Sequence, residues 1–221
     1  MSIPANAPAA ARAAREALHR AEVALRDQRE AVARMRRALP RDIAFEDLPL
    51  EEMRDGRRVR VDLSGLFEDP DRPLVLMHFM YGKAQTEPCP MCTLWADGYA
   101  GLARHLAQRV NFAVLIAGDV DAFSIYAKGR GWDDLRVVSA AETTLERDLG
   151  FEDEEGNQRP GVSVFERAAD GSLTHFYSLC AYGPDGGRMM DALSPFWNFL
   201  DLTPEGRGDF LPRLTYDRGP L

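Results

Sequence analysis

"EPCPMCTLWADGYAG", residues 87–101, sets two of the chain's three cysteines at a C-x-x-C spacing and follows them with residues that read as helix. At a helix start this spacing places both sulfurs at one end of a single turn, within disulfide reach. Cys89 would stand at the N-terminus, where free N–H groups and the helix dipole favour a thiolate. Pro90 fits the first helical position, since its missing N–H would have found no partner there. Cys92 would lie one turn inside, less exposed and harder to ionise. The spacing thus casts Cys89 as the attacking sulfur and Cys92 as the one that resolves a mixed disulfide. Pro90, Met91 and Trp95 are the neighbours placed to touch a substrate, although Trp95, like Trp132, suits a core aromatic better than a substrate platform. Two other readings compete: half of a metal site, or a pair of inert buried thiols.

Outward from this stretch, "PLVLMHFM" (73–80) and "VNFAVLIA" (110–117) are apolar, β-leaning runs that suit strands buried on both faces. One helix is expected from Cys89 to about Leu106. A second is expected in "DVDAFSIYAKGRG", with Asp119 as N-cap and its end at Gly129 or Gly131. "LRVVS" (135–139) reads as a short strand and "AETTLERDLGF" (141–151) as a short helix or turn. The acidic "EDEEGNQR" (152–159) reads as an exposed loop. "GVSVFER" and "SLTHFYSL", joined by "AADG", form an expected hairpin. A last helix spans "DGGRMMDALSPFWNFLDL", kinked or restarted at Pro195. Earlier, "RRVRVDL" (57–63) alternates as an edge strand or hairpin arm does. Strands alternating with helices, then a hairpin, then a helix, is the order of a thioredoxin-like α/β fold. Such a fold has a central mixed sheet flanked by helices, and here the cysteines fall where the first long strand meets its helix.

Residues 1–40 are read as a helical extension and 41–221 as the thioredoxin-like domain. The extension is helical from about Ala7 to Ala38 and closed by Pro40. Leu18, Leu25, Val32 and Leu39 recur every seven residues, a narrow apolar seam that suits either packing on the chain's own domain or a homodimer contact. Glu16 with Arg20, Glu22 with Arg26, and Glu30 with Arg34 place acid before base at i,i+4, as on a solvated face.

A net charge of −8 argues against a nucleic-acid partner, since phosphate contacts need concentrated Lys and Arg. No apolar run approaches the roughly 18 residues of a membrane span. Arg12, Arg15 and Glu16 interrupt the early alanines where a secretory signal would be apolar, so the expected compartment is the cytoplasm. There a working thiol pair is favoured over a static disulfide.

"QRPGVSVF" (158–165) is the second element of the site. Pro160 directly precedes a strand, where a thioredoxin fold keeps a cis-proline facing the dithiol. If cis, it leaves the backbone at Arg159 free to pair with a substrate; if trans, Pro160 merely opens the strand. His78 on the first buried strand is either a hydrogen-bonded core histidine or a group tuning the thiolate. Cys180 reads as a small buried hydrophobe, with a second resolving role as the sharper alternative. Asp97 suits a surface or capping role better than a proton relay to Cys92. Lys83 and Glu87 read as solvated loop charges. A zinc site would need Cys180 and a histidine to join the pair. A copper-carrier variant of the fold would need a histidine late in the chain, for which His175 is the candidate by position.

The combination of "HFMYG" (78–82), "CPMCTLWADGYAGL" (89–102), "GW" at 131–132, "VS" at 138–139, "PGVSVF" (160–165), "YS" at 177–178 and "LDLTPEGR" (200–207) resembles the bacterial DUF899 family of thioredoxin-like proteins. The resemblance covers most of the chain from about residue 40. It implies a dithiol–disulfide activity at Cys89 and Cys92, with Trp95 and Asp97 adjoining. Met91 and the pair Leu179–Cys180 depart from the pattern. The expected function is therefore a thiol–disulfide oxidoreductase with Cys89, Cys92 and Pro160 as its working residues. Its substrate would be a protein or small-molecule disulfide, with no cofactor or resident metal and no electron donor assigned. A metal-binding or non-catalytic partner-binding protein is the alternative. A peroxidase is disfavoured because the run P-x-x-x-T-x-x-C is absent and Pro88 sits directly before Cys89.

Overall fold

The computed structural model describes residues 3–82 and 87–216; Lys83 lies outside them. The chain divides into two compact units, residues 1–40 and 41–221. In the first, α1 (Ala9–Arg37) is one uninterrupted helix, as its Ala- and Arg-rich composition favours. Arg34, Arg36 and Arg37 in its last turn complement the helix dipole. The expected i,i+4 ion pairs do not close. Glu22 instead approaches His19, and Arg26 bonds Asp27 at 2.6 Å. An exposed pair gains so little against side-chain entropy that its choice of partner is weakly held.

The second unit is built on one sheet. Its strands are β1 (Ala44–Phe45), β2 (Pro49–Arg54), β3 (Arg57–Asp62), β4 (Leu74–His78), β5 (Asn111–Ile116), β6 (Arg136–Ser139), β7 (Gly161–Arg167) and β8 (Leu173–Cys180), in the order β1-β8-β7-β4-β5-β6-β2-β3. β4, β5 and β6 run parallel, and β7 and β8 add the antiparallel hairpin beside β4. This is the arrangement expected of a thioredoxin-like domain, extended at both edges. The helices are α2 (Pro90–Ala100), α3 (Ala103–Leu106), α4 (Val120–Gly129), α5 (Leu145–Asp148) and α6 (Pro195–Leu200).

Several elements differ from expectation. The last helix, expected over 185–202, is only α6, preceded by a 3-10 turn at Asp191–Leu193 and by non-helical backbone over 185–190, and β1 adds a short outer strand. β2 was not anticipated, because Pro49, Glu51 and Glu52 are poor strand formers. Its signal is the Asp55–Gly56 turn, where both residues adopt positive φ (50° and 73°), as a tight hairpin requires. Glu52, buried in β2, is held by Arg136 at 2.7 and 3.2 Å. The single helix expected from Cys89 to Leu106 is instead α2 and α3, interrupted at Gly101 and Leu102. Gly98 and Gly101 both weaken helix propagation there.

The central strands separate two cores by strict alternation. In β4, Leu74 and Leu76 enter a cluster with Leu50, Leu66 and Phe165, whereas Met77 joins Cys92, Trp95 and Phe123 on the other side. β5 repeats the pattern, Ala113 and Leu115 to one cluster and Val114 and Ile116 to the other. The face carrying α2 therefore holds the cysteines, and Asp119 caps α4 beside it by accepting the Ala122 N–H at 2.8 Å.

Candidate functional site

The cysteines are placed by the end of β4. Beyond it, the Met80 carbonyl accepts the Cys89 N–H at 3.4 Å. Cys89 is the N-cap of α2, and its sulfur accepts the Cys92 N–H at 3.5 Å. Pro90 occupies the first turn, so the local sequence starts a helix at this point. Thr93 secures the cap: its N–H and its hydroxyl both donate to the Cys89 carbonyl, at 2.9 and 3.0 Å. The same hydroxyl meets the Tyr126 hydroxyl at 2.8 Å, which ties α2 to α4.

The two thiols are unlike. Cys89 is half-buried and Cys92 fully buried, and both are free thiols. The Cys92 thiol donates toward Cys89 and lowers the Cys89 pKa to about 6; burial opposes this, and the N–H groups of Cys92 and Met91 assist it. Burial pushes the Cys92 thiol well above its ordinary value, and the neighbouring Cys89 pushes it further. At neutral pH the pair is therefore a thiolate at the helix mouth backed by a thiol. Alkylation of reduced protein by iodoacetamide should fall first on Cys89, with a rate that is half-maximal near pH 6 and drops about tenfold per unit below it. A midpoint near 9, read by peptide mass mapping, would contradict the cap geometry.

Pro160 does not take the expected cis form. Among the described residues no peptide bond is cis, and trans is the default for X–Pro. The backbone of Arg159 is also not free on its donor side, because its N–H donates to the Phe151 carbonyl at 2.7 Å. The Pro160 carbonyl accepts the Ala181 N–H at 2.8 Å. Pro160 nevertheless reaches the edge of the sheet from which α2 departs. His78, Gly161 and Cys180 are cross-strand neighbours on β4, β7 and β8.

Trp95 is only 3% exposed and packs among core aromatics, so it is not a surface for a substrate. Pro90 is exposed and Met91 half-buried, both flanking Cys89. Asp97 is a structural tie: it accepts from Trp132 Nε1 at 2.8 Å, from Tyr216 at 3.0 Å and from Arg130. With its oxygens so engaged, it is not a proton relay for Cys92.

His78 faces away from the cysteines, in line with Leu74 and Leu76. Its Nδ1 meets Glu146 at 2.7 Å and its Nε2 meets Ser163 at 2.8 Å. The Phe151 ring stacks on it at 3.7 Å. Ser163 continues to Ser178 at 2.7 Å, and Ser178 to Nε2 of His175 at 2.8 Å. His78 is thus a hydrogen-bonded core residue. Glu146, Ser163 and Ser178 escaped the sequence reading, because partners 68 and 85 residues away leave no local pattern. His175 is committed to this chain. Among the described residues no group of three or more His, Cys, Asp or Glu side chains is arranged to hold a metal ion. No helix among them is long and apolar enough to cross a membrane.

A family model described as bacterial protein of unknown function, DUF899, matches residues 2–216. Among solved structures, reduced Prx3 from Vibrio vulnificus in complex with hydrogen peroxide is 14% identical, with a TM-score of 0.50 over 71% of this chain and 98% of that one. A Burkholderia cenocepacia protein assigned as a thioredoxin reductase is also 14% identical, with a TM-score of 0.50 over 71% of this chain and 95% of that one. At that identity the likeness speaks for the fold alone, a thioredoxin-like one. No protein of curated function matches the chain.

Proposed function

The chain belongs to the DUF899 family of bacterial proteins, and we propose that it is a thiol–disulfide oxidoreductase whose working groups are Cys89 and Cys92. One observation carries the reading: Cys89 caps α2 as a half-buried, acidified thiol with the buried Cys92 thiol one turn behind it.

The chemistry follows from the two environments. The Cys89 thiolate attacks a substrate disulfide, forming a mixed disulfide and expelling one half of the substrate as a thiolate. Cys92 then gives up its proton and attacks the Cys89 sulfur. The Cys89–Cys92 disulfide forms and the second half departs. Two electrons pass from the dithiol to the substrate; the Cys92 proton leaves with one released half as a thiol, and the other half leaves as the thiolate, taking a proton from water according to its own pKa. The high pKa of Cys92 keeps it protonated until the first step has consumed the thiolate beside it. Pro160 shapes the edge beside the site by its rigid, N–H-free backbone, and the approach past Pro90 and Met91 is the open side.

The Vibrio structure contains peroxide. In this chain a second thiol within one helical turn of the first suits disulfide exchange better, since its product closes without further chemistry. Equilibration of the protein in glutathione buffers tests the reading. A single two-electron transition is expected, with a midpoint less negative than thioredoxin's roughly −270 mV, because an acidified Cys89 stabilises the reduced form. Absence of any thiol–disulfide transition across that range would overturn it.

A further inference from the structure

At the end of the sheet from which the chain leads on to the dithiol lies a groove that the exchange chemistry does not use. It measures about 660 Å³ and is lined chiefly by Arg159, Ser178, Leu179, Cys180, Tyr182 and Met189. We propose that this groove seats one half of a low-molecular-weight disulfide bearing a carboxylate, held by Arg159 and Tyr182 while Cys89 attacks. The inference rests on the dithiol reading and names its substrate class.

The register places the groove. β4 ends, β7 begins and β8 ends at one edge of the sheet, with His78, Gly161 and Cys180 abreast. Arg159 enters β7 there and Tyr182 follows β8, where β4 departs toward Cys89. Leu179 lines the groove and also packs against the apolar cluster that includes both cysteines. Tyr182 lies in the field of the pair: burial first, then Cys89, Cys92 and Asp191, raise its pKa against the opposing Arg188, so its hydroxyl remains a donor.

Charge and size select the ligand. Arg159 is the one charged residue among those lining the groove. Its guanidinium is exposed and closes no ion pair or hydrogen bond among the described residues. Asp153 lies in its field but accepts instead from Asn157, at 2.8 and 3.1 Å. The Ser178 hydroxyl is already engaged by Ser163 and His175, which leaves Arg159 and Tyr182 as donors to a carboxylate. An extended peptide is disfavoured on the Arg159–Pro160 segment. The Arg159 N–H is spent on Phe151, Pro160 has none, and the Pro160 carbonyl is taken by Ala181. Recognition therefore falls to side chains around a volume that suits a small molecule.

The test compares two disulfides of like size, 3,3′-dithiodipropionate and the neutral bis(2-hydroxyethyl) disulfide, each oxidising the reduced full-length protein. The ratio of the two second-order rate constants, anionic over neutral, should fall about tenfold in Arg159→Gln, the order expected for one charge-assisted contact at an open site. Arg159→Lys should restore part of it. Added salt should depress the anionic rate in the wild type more than in Arg159→Gln. Arg60→Gln, on the edge strand β3, serves as the control and should leave the ratio unchanged. A ratio indifferent to Arg159 with both disulfides reacting would overturn the groove and leave the dithiol reading standing. Failure of both disulfides to oxidise Cys89 would overturn the dithiol reading, and the groove proposal with it.

Discussion

Cys89→Ser should stop disulfide exchange altogether, whereas Cys92→Ala should stop it after one step. A serine hydroxyl in the cap position accepts the Cys92 N–H as well as sulfur does, so α2 should keep its start. What it cannot do is ionise near neutral pH and attack sulfur, so turnover should fall below detection. In Cys92→Ala the attacking thiol survives and the resolving one does not. One equivalent of mixed disulfide should then accumulate on Cys89 and persist on a non-reducing gel. The same variant removes the donor that contributes most to the low pKa of Cys89. Its alkylation midpoint should therefore climb from about 6 toward the ordinary value of 9.0. Mixed disulfide in Cys89→Ser, or its absence in Cys92→Ala, would contradict the assigned roles.

The second large effect is on stability. Glu146 and His78 are both buried and bonded to each other at 2.7 Å, on the face of the sheet away from the cysteines. Glu146→Ala leaves an imidazole N–H without its acceptor among packed apolar atoms, which costs about 1–3 kcal/mol for the orphaned donor, with the packing lost by truncating a buried side chain added to it. A domain has only about 5–15 kcal/mol in total. At about 2–4 °C per kcal/mol for a chain of this size, thermal unfolding should begin roughly 5–10 °C earlier. Replacing both partners, His78→Leu with Glu146→Leu, removes the orphaned group and should recover a good part of the loss. A single-variant loss under about 1 kcal/mol would show that the pair is not the clamp its geometry describes.

The dithiol turn, the central strands and the terminal hairpin were legible because each rests on a local pattern: a cap and a proline, an apolar run, a glycine turn between alternating residues. Asp119 ahead of a helix-forming run announces a cap in the same local way, and it accepts the Ala122 N–H as one. What escaped was set by distant partners. β2 is a strand because Glu52 finds Arg136 and Leu50 finds the core, which its own strand-poor residues do not announce. Trp95, by contrast, is the core aromatic its residue type favours over a substrate platform, since Cys92, Trp95 and Tyr99 share the buried side of α2. Analogy with the fold favours a cis Pro160; the trans bond leaves its position at the sheet edge intact while Phe151 takes the neighbouring N–H. The groove beside Tyr182 and Arg159 joins residues 23 positions apart that only the β7–β8 pairing brings to one edge.

The proposed exchange of electrons by Cys89 and Cys92 as one unit is read out by peptide mass mapping across the glutathione titration. Thiol labelling should disappear from Cys89 and Cys92 together, at one midpoint, with a linked peptide taking their place and Cys180 still labelled at the end. Oxidation that spares Cys92, or that joins Cys89 to Cys180 instead, would contradict it.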